Sequence, residues 1–358
     1  LTLTRLSLAQ FRSWPRLDLN LGKEPLAVFG PNGSGKTNIL EAVSMLAPGR
    51  GLRSAPALEQ ALKGKAAGWR IDATLGDHQI RTQAPPDQTR NVAIDDKTVP
   101  QTALARLVRV IWLVPSMDRL WTESPEGRRR FLDRVTLSLM PDHADLALAY
   151  DKAMRERNRL LRDQISDVGW YRALEGQMAE AGAALTRNRQ SAIAAIMASQ
   201  GTHDAFPAAT LTLLAGEGHA DDADAESIAA RMAAMRPRDL AAGRSLTGPH
   251  RADLGATWGP QDMPAALSST GEQKALLLSL ILANARALAD QPVLLLLDEV
   301  AAHLDADRRA ALYDLICTLP AQSLLTGTGP ELFSDLGSRA RHLAVEKTDG
   351  KSGTVPLD

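Results

Sequence analysis

Three short stretches of this chain hold residues whose types and spacing suit chemistry. In the first, Gly30-Pro31-Asn32-Gly33-Ser34-Gly35-Lys36-Thr37, followed by Asn38, the pattern G-x-x-x-x-G-K-[ST] lies between an apolar run and a helical one. Gly33 and Gly35 lack the Cβ that would stop backbone N–H groups from turning inward around phosphates. A helix starting there adds unpaired donors and a favourable dipole. Lys36 is then expected to neutralise the β- and γ-phosphates of ATP, and the Thr37 hydroxyl to bind Mg2+. In the second stretch, Val293–Leu297 supplies five apolar residues that end in Asp298 and Glu299. Asp298 is placed to hold Mg2+ through water, and Glu299 to polarise an attacking water as general base. The third stretch, Leu267-Ser268-Ser269-Thr270-Gly271-Glu272-Gln273-Lys274, precedes an apolar helical run. A serine hydroxyl and small-residue N–H groups at a helix start form either a second anion cradle or an ordinary N-cap. On the residues alone both readings stand.

These stretches need elements to carry them. Leu1, Leu3, Leu6 and Leu8, then Leu17, Leu19 and Leu21, alternate as strands do, and 26–29 is a short apolar run leading into the first loop. Ile39, Leu40, Val43 and Leu46 have helical spacing behind it. Short alternating runs return over 69–94, with Gly76-Asp77 as a hairpin turn, and 108–114 reads as a buried strand. From about 127 to 199 the only proline is Pro141, and two long helical patterns follow one another, one through Leu146, Met154 and Leu161, the other through Trp170, Met178 and Ile193. Residues 215–227 read as an exposed acidic loop, and the strand pattern resumes near Leu246. The expected fold is α/β: a P-loop ATPase head with a mixed sheet and an antiparallel lobe, carrying an inserted helical arm. The expected boundaries are 1–115 for the first part of the head, 116–205 for the arm, and 206–358 for the rest of the head.

Composition narrows the classes. With 358 residues, 44% hydrophobic and 23% charged, the chain is globular rather than disordered or fibrous. A single cysteine, Cys317, rules out an intramolecular disulfide and suits a reducing interior. No apolar stretch approaches the roughly 20 residues of a membrane span, so a cytoplasmic location is expected. The formal net charge of -1 gives no overall field for nucleic acid, although a basic face can be balanced elsewhere.

The order of the three stretches resembles the ABC-type ATPases. There, Ser269, Gly271 and Glu272 fall on positions of the LSGGQ signature, whose cradle serves the γ-phosphate of the ATP held by a second subunit. His303-Leu304-Asp305 is similar to the D-loop that joins the two sites. Two transporter features are missing: no histidine follows the strand at 323–325, which runs into Thr326-Gly327-Thr328, and no glutamine stands at Val114-Pro115-Ser116-Met117-Asp118. Within the superfamily the chain resembles the RecF family of bacterial DNA-repair proteins. Leu8-Ala9-Gln10-Phe11-Arg12-Ser13-Trp14 is similar to that family's opening motif. So are the Gly35 to Ala42 stretch with Gly49-Arg50-Gly51-Leu52-Arg53, the Pro115 to Asp118 segment with Arg128-Arg129-Arg130-Phe131-Leu132-Asp133, and Thr247-Gly248-Pro249-His250-Arg251-Ala252-Asp253-Leu254. About 230 residues separate Lys36 from Ser269, room for a short helical arm and too few for the long coiled coil of SMC-type relatives.

The resemblance implies a weak ATPase that forms an ATP-dependent homodimer on gapped duplex or single-strand/double-strand junctions, acting with RecO and RecR to load RecA. It also implies association with the nucleoid and a nucleotide contact from Arg12. Between Ser44 and Val110 ten Lys and Arg stand against six Asp and Glu, making Arg50, Arg53, Lys63, Lys65 and Arg70 candidate DNA contacts, or simply solvated surface. His250 and Arg251 either link the signature half to nucleotide or brace a turn. The competing functions are the ATPase subunit of a membrane transporter and an ATP-switched protein scaffold.

Overall fold

Period-two alternation in the first twenty residues produces two antiparallel strands, β1 (Leu3–Phe11) and β2 (Trp14–Asn20). Leu6, Leu8, Phe11, Trp14 and Leu17 turn inward, and a register shift between Leu3 and Arg5 brings Leu3 inward as well despite its odd spacing from Leu6. The computed structural model to which these strands belong describes residues 1–64, 68–201, 205–216, 224–259 and 262–356. It divides into two compact units, one chiefly Leu1–Asp118 with Asn284–Asp358, the other chiefly Arg119–Thr202 with Pro207–Ala283.

The first unit continues with β3 (Leu26–Phe29), α1 (Lys36–Ser44), β4 (Trp69–Leu75), β5 (His78–Ala84), β6 (Asn91–Ile94), β7 (Lys97–Val99), the single turn α2 (Leu104–Leu107) and β8 (Arg109–Leu113). The antiparallel lobe is a sheet of order β2-β1-β4-β5-β6-β7. Gly76 and Asp77 make the expected hairpin between β4 and β5. Arg90, buried in this unit, donates to the carbonyls of Met45, Ala47 and Gly49 just past the end of α1. A guanidinium there satisfies orphan carbonyls and complements the helix dipole; burial pushes its pKa down to about 10.

The second unit contains α3 (Pro125–Leu139), α4 (His143–Arg162), α5 (Val168–Ala198), β9 (Ala209–Leu214), α6 (Ala225–Ala242), β10 (Asp253–Trp258), the short β11 (Met263–Pro264) and most of α7 (Thr270–Ala287). Asp167 caps α5 and Asp224 caps α6, each accepting from two backbone N–H groups. Tyr150, Met178, Leu185, Ile228 and Met232 pack between α4, α5 and α6. Inside the same bundle Arg157 is wholly buried and pairs with Glu175 at 2.9 Å and Asp239 at 2.7 Å. This unit takes in 207–283, residues that the sequence pattern assigned to the head. β9 and α6 precede Leu246, near which the strand pattern is expected to resume; of the loop expected at 215–227, residues 217–223 lie outside the described residues and 225–227 open α6.

After α7 come β12 (Val293–Leu297), α8 (Ala306–Thr318), β13 (Gln322–Gly327), β14 (Arg341–Thr348) and β15 (Lys351–Val355). They complete a second six-stranded sheet in the first unit, of order β15-β14-β3-β13-β12-β8. The five strands from β14 to β8 are parallel and only β15 is antiparallel. Covered on both faces, β3 and β12 are apolar without alternation, and β8 is buried throughout and apolar after Arg109. All the parallel strands end at one edge, where the loops after β3, β12 and β13 meet.

Candidate active site

The loop after β3 is shaped by its glycines. Gly30, Gly33 and Gly35 have φ of 152°, 78° and 109°, in the region that favours glycine. A Cβ on Gly35 would lie 2.2 Å from Ser352 Oγ, so the close approach of β15 also demands glycine there. Gly35 precedes α1, and no side chain caps that helix, which leaves its N-terminal donors facing the loop. The buried hydroxyl of Ser34 has no hydrogen-bond partner. Lys36 is 3% exposed; its Nζ donates to Gly30 O at 2.7 Å and Pro31 O at 3.1 Å, and lies 3.8 Å from Glu299 Oε1. Burial lowers its pKa from the ordinary value, while Glu299 and Asp298 act in the opposite sense.

The acids stand beside it. β12 delivers Asp298 to the carboxyl edge, and Thr37 Oγ1 donates to Asp298 Oδ1 at 2.8 Å. Thr326, at the end of β13, donates to the same oxygen at 2.7 Å and accepts from the backbone N–H of Glu299 at 2.9 Å. Glu299 has φ of 53°, a left-handed conformation uncommon for a side-chain-bearing residue.

Around α1 the structure adds residues that sequence reasoning gave no role. Glu41 is fully buried and accepts from Arg12 at 2.5 and 2.8 Å and from Arg53 at 3.0 Å. Arg53 also donates to Asn38 Oδ1 at 2.8 Å. Arg12 therefore stands next to the nucleotide loop, and Arg53, expected on a DNA-facing surface, is drawn to the same cluster by the carboxylate. Ser13, Trp14 and Ser352 hold the loop from behind: Trp14 Nε1 donates to Gly35 O, Asn38 Nδ2 to Ser13 Oγ, and Ser352 Oγ contacts both Ser13 Oγ and Ser34 O. Arg12, Ser13 and Trp14 lie in the opening motif, and Asn38 and Glu41 in the loop-and-helix motif; Ser352 carried no local signal.

In the second unit the Ser269 stretch opens α7 with a reciprocal cap. Ser269 N donates to Glu272 Oε2 at 2.8 Å, and Glu272 N donates to Ser269 Oγ at 3.3 Å. Ser268 is braced by Trp258 Nε1 at 2.7 Å, and its carbonyl accepts from Gln273 Nε2 at 2.9 Å. Ser269, Thr270 and Gly271 are nonetheless exposed, and nothing lies within 4 Å of a Cβ built on Gly271. The cap and the exposed cradle coexist. His250 contacts the Tyr150 hydroxyl through Nδ1 at 2.7 Å and the Ser245 carbonyl through Nε2 at 3.2 Å, bracing a turn within this unit.

Of the other basic candidates, Arg50 and Lys63 are exposed, Arg70 is exposed on β4, and Lys65 lies outside the described residues. Arg70 belongs to a set the sequence did not reveal. Small Ser7 and Ala9 on β1 floor a groove of about 440 Å3 on the outer face of the antiparallel lobe. Its walls include Arg16 and Asp18 opposite on β2, Arg70 and Asp72 opposite on β4, and Arg81 beyond on β5. Arg5 completes four arginines against two aspartates.

This combination of phosphate loop, acidic strand and capped serine-glycine turn defines a P-loop ATPase head of the class shared by RecF, RecN and SMC proteins. The RecF/RecN/SMC N terminal domain family matches residues 2–350. Among relatives, the DNA replication and repair protein RecF of Mesorhizobium japonicum is 42% identical over 363 residues, 96% of each chain, and that of Caulobacter vibrioides is 44% identical over 386 residues, 99% of this chain and 98% of the other. A solved structure of the recombination mediator protein RecF with ATP, of the RecFOR pathway, has a TM-score of 0.83 at 20% identity, covering 99% of this chain and 97% of that one. The chain belongs to the RecF family. Among the described residues no helix is long and apolar enough to cross a membrane.

Proposed function

We propose that this chain is an ATP-dependent DNA-binding protein of recombinational repair, acting where RecF acts. Two copies close on ATP, each offering the Ser269 and Gly271 turn to the γ-phosphate held by the other's Lys36. The single observation that carries this reading is the shared sheet edge where Lys36, Thr37, Asp298 and Glu299 stand within hydrogen-bonding or ion-pairing reach of one another. RecF relatives along the whole chain, and a RecF structure with ATP, support it.

The site fits a magnesium nucleotide. The uncapped N-terminus of α1, the partnerless Ser34 hydroxyl and Gly33, held at φ 78°, together make an anion cradle. Thr37 and Asp298 would hold Mg2+, which supplies charge neutralisation at the β- and γ-phosphates. Phosphate oxygens take over the Lys36 ammonium from the Gly30 and Pro31 carbonyls. Glu299, released from Lys36, accepts a proton from the attacking water. Ser269 Oγ and the Thr270 and Gly271 N–H groups stabilise charge on the transferred phosphoryl. Hydrolysis is slow, for want of the transporter histidine, and reopens the pair.

DNA lies on basic surface of the head: Arg50, Lys63, Arg70 and the neighbouring Arg5, Arg16 and Arg81 meet phosphates, with Lys65 following Lys63 in the chain. RecO and RecR are the partners through which the complex helps load RecA, and the protein resides with the nucleoid in the cytoplasm. Binding to gapped duplex with and without ATP, across a salt series, tests the proposal: ATP should tighten retention, and retention should weaken with salt. The Glu299→Gln chain should be a dimer at saturating ATP by light scattering. A monomer under those conditions, or DNA retention indifferent to ATP, overturns the reading.

A further inference from the structure

Thr326 occupies a place that the motifs leave without a function. The parallel register pairs Leu297 with Leu325, so the next residues along, Asp298 on β12 and Thr326 on β13, stand level at the sheet edge. β13 lies between β3, which carries the phosphate loop, and β12, which carries the acids. Thr326 is 1% exposed, and its hydroxyl has two partners, each part of the hydrolytic machinery. It donates to Asp298 Oδ1, the oxygen that Thr37 also reaches, and it accepts from the N–H of Glu299.

We propose that Thr326 is the positioning residue of the hydrolytic step, acting through both acids and not on the nucleotide itself. Two hydroxyls from opposite sides, Thr37 and Thr326, converge on one oxygen of Asp298. They fix the carboxylate plane and leave Oδ2 as the oxygen not engaged by either. The second hydrogen bond anchors the backbone of Glu299 in its left-handed conformation at φ 53°. Such a conformation persists where the surroundings over-determine it, and the Thr326 hydroxyl is the side-chain contact that does so here. With its backbone pinned, the Glu299 side chain can turn from Lys36 toward the attacking water without the peptide relaxing. The absence of a histidine after this strand therefore does not leave the strand end idle: its polar residue serves the acids.

This inference rests on the reading of Glu299 as general base, and the test separates the two. Thr326→Val removes the hydroxyl at nearly constant volume, and Thr326→Ser keeps it. Single-turnover hydrolysis and ATP affinity are measured on the full chain, with Glu299→Gln alongside. Expected is a fall of about 10- to 100-fold in the hydrolysis rate for the valine variant, the range for losing an outer hydrogen-bonding partner, with ATP affinity and thermal unfolding close to the parent. The serine variant should recover most of the rate. A parental rate in Thr326→Val, with Glu299→Gln inactive, overturns the role of Thr326 alone. A valine variant that loses ATP binding in step with rate, and a serine variant no better, reduces Thr326 to packing and overturns it too. A parental rate in Glu299→Gln sinks both.

Discussion

Replacing Ser352 by Ala should weaken ATP binding while leaving the rate at saturation nearly intact. With one proton per hydroxyl, the network behind the phosphate loop runs in one direction: Asn38 Nδ2 donates to Ser13, Ser13 to Ser352, and Ser352 to the carbonyl of Ser34 at 2.5 Å. Ser352 is 7% exposed, so water cannot easily replace its hydroxyl. Alanine deletes two hydrogen bonds and strands the Ser34 carbonyl. At about 1 kcal/mol net for each, the loss is ~2 kcal/mol, an upper limit of roughly 30-fold on affinity if all of it served to hold the loop ready. An increase of about 3- to 30-fold in the ATP dissociation constant by calorimetry is therefore expected. Thr326 behaves in the opposite way, since one side of the site governs affinity and the other rate. Affinity unchanged within about twofold, or a rate loss at saturating ATP, would refute the argument that β15 braces the loop for binding.

The cap of α7 makes a similar claim in the second unit. Glu272→Ala removes the acceptor of the Ser269 N–H and should cost about 0.5–2 kcal/mol of local helix stability; ATP-dependent dimerisation by light scattering should weaken while ATP binding to the single chain stays unchanged. Arg157→Met should destabilise the arm by about 3–5 kcal/mol in urea unfolding, because Asp239 loses its ion-pair partner inside the bundle while Glu175 keeps Arg236 at 2.6 Å; restoring some of that by adding Asp239→Asn is the confirming outcome. Asp18 accepts from Ser7, Arg16 and Arg5, which lowers its pKa to about 2 from the model-peptide value of 3.8. Because the folded value is the lower one, its contribution to stability is present above about pH 4 and drains away as pH falls toward 2. Carbon-detected NMR titration should find the Asp18 carboxyl still ionised near pH 3.

The loop at Lys36 and the acids after β12 were legible because each is written in consecutive residues between recognisable elements. Glycines needing positive φ, a lysine and a threonine at the start of a helix, or two acids after five buried leucines and valines have one structural outcome. The serine-glycine turn was legible as a helix start, and its reciprocal cap with Glu272 follows the spacing S-x-x-E. Thr326 and Ser352 were invisible as functional residues because their partners are remote in the chain; Thr326 lies 28 positions from Asp298, and Ser352 318 from Ser34. Arg53 is exposed and also pairs with the buried Glu41, a partnership that a basic residue in a basic stretch does not reveal. α6 escaped because its alanine-rich run offers only Ile228 and Met232 as deeply buried apolar anchors and contains Pro237. Residues 207–283 read as head by motif and cluster with the arm by contact.

The seam between β3 and β14, with Ser352 against the phosphate loop, also imposes an order on synthesis. The strand that flanks β3, Arg341–Ala344, and the hydroxyl that backs the glycines at 30–35 leave the ribosome roughly 300 residues after them. At about 5–20 residues per second, that is a wait on the order of 15–60 s, for nearly all of which both edges of β3 are open, because its other neighbour, β13, also comes late. A half-made chain is thus unable to form a finished nucleotide pocket, and newly translated protein becomes competent for ATP only after β14 and β15 have been added.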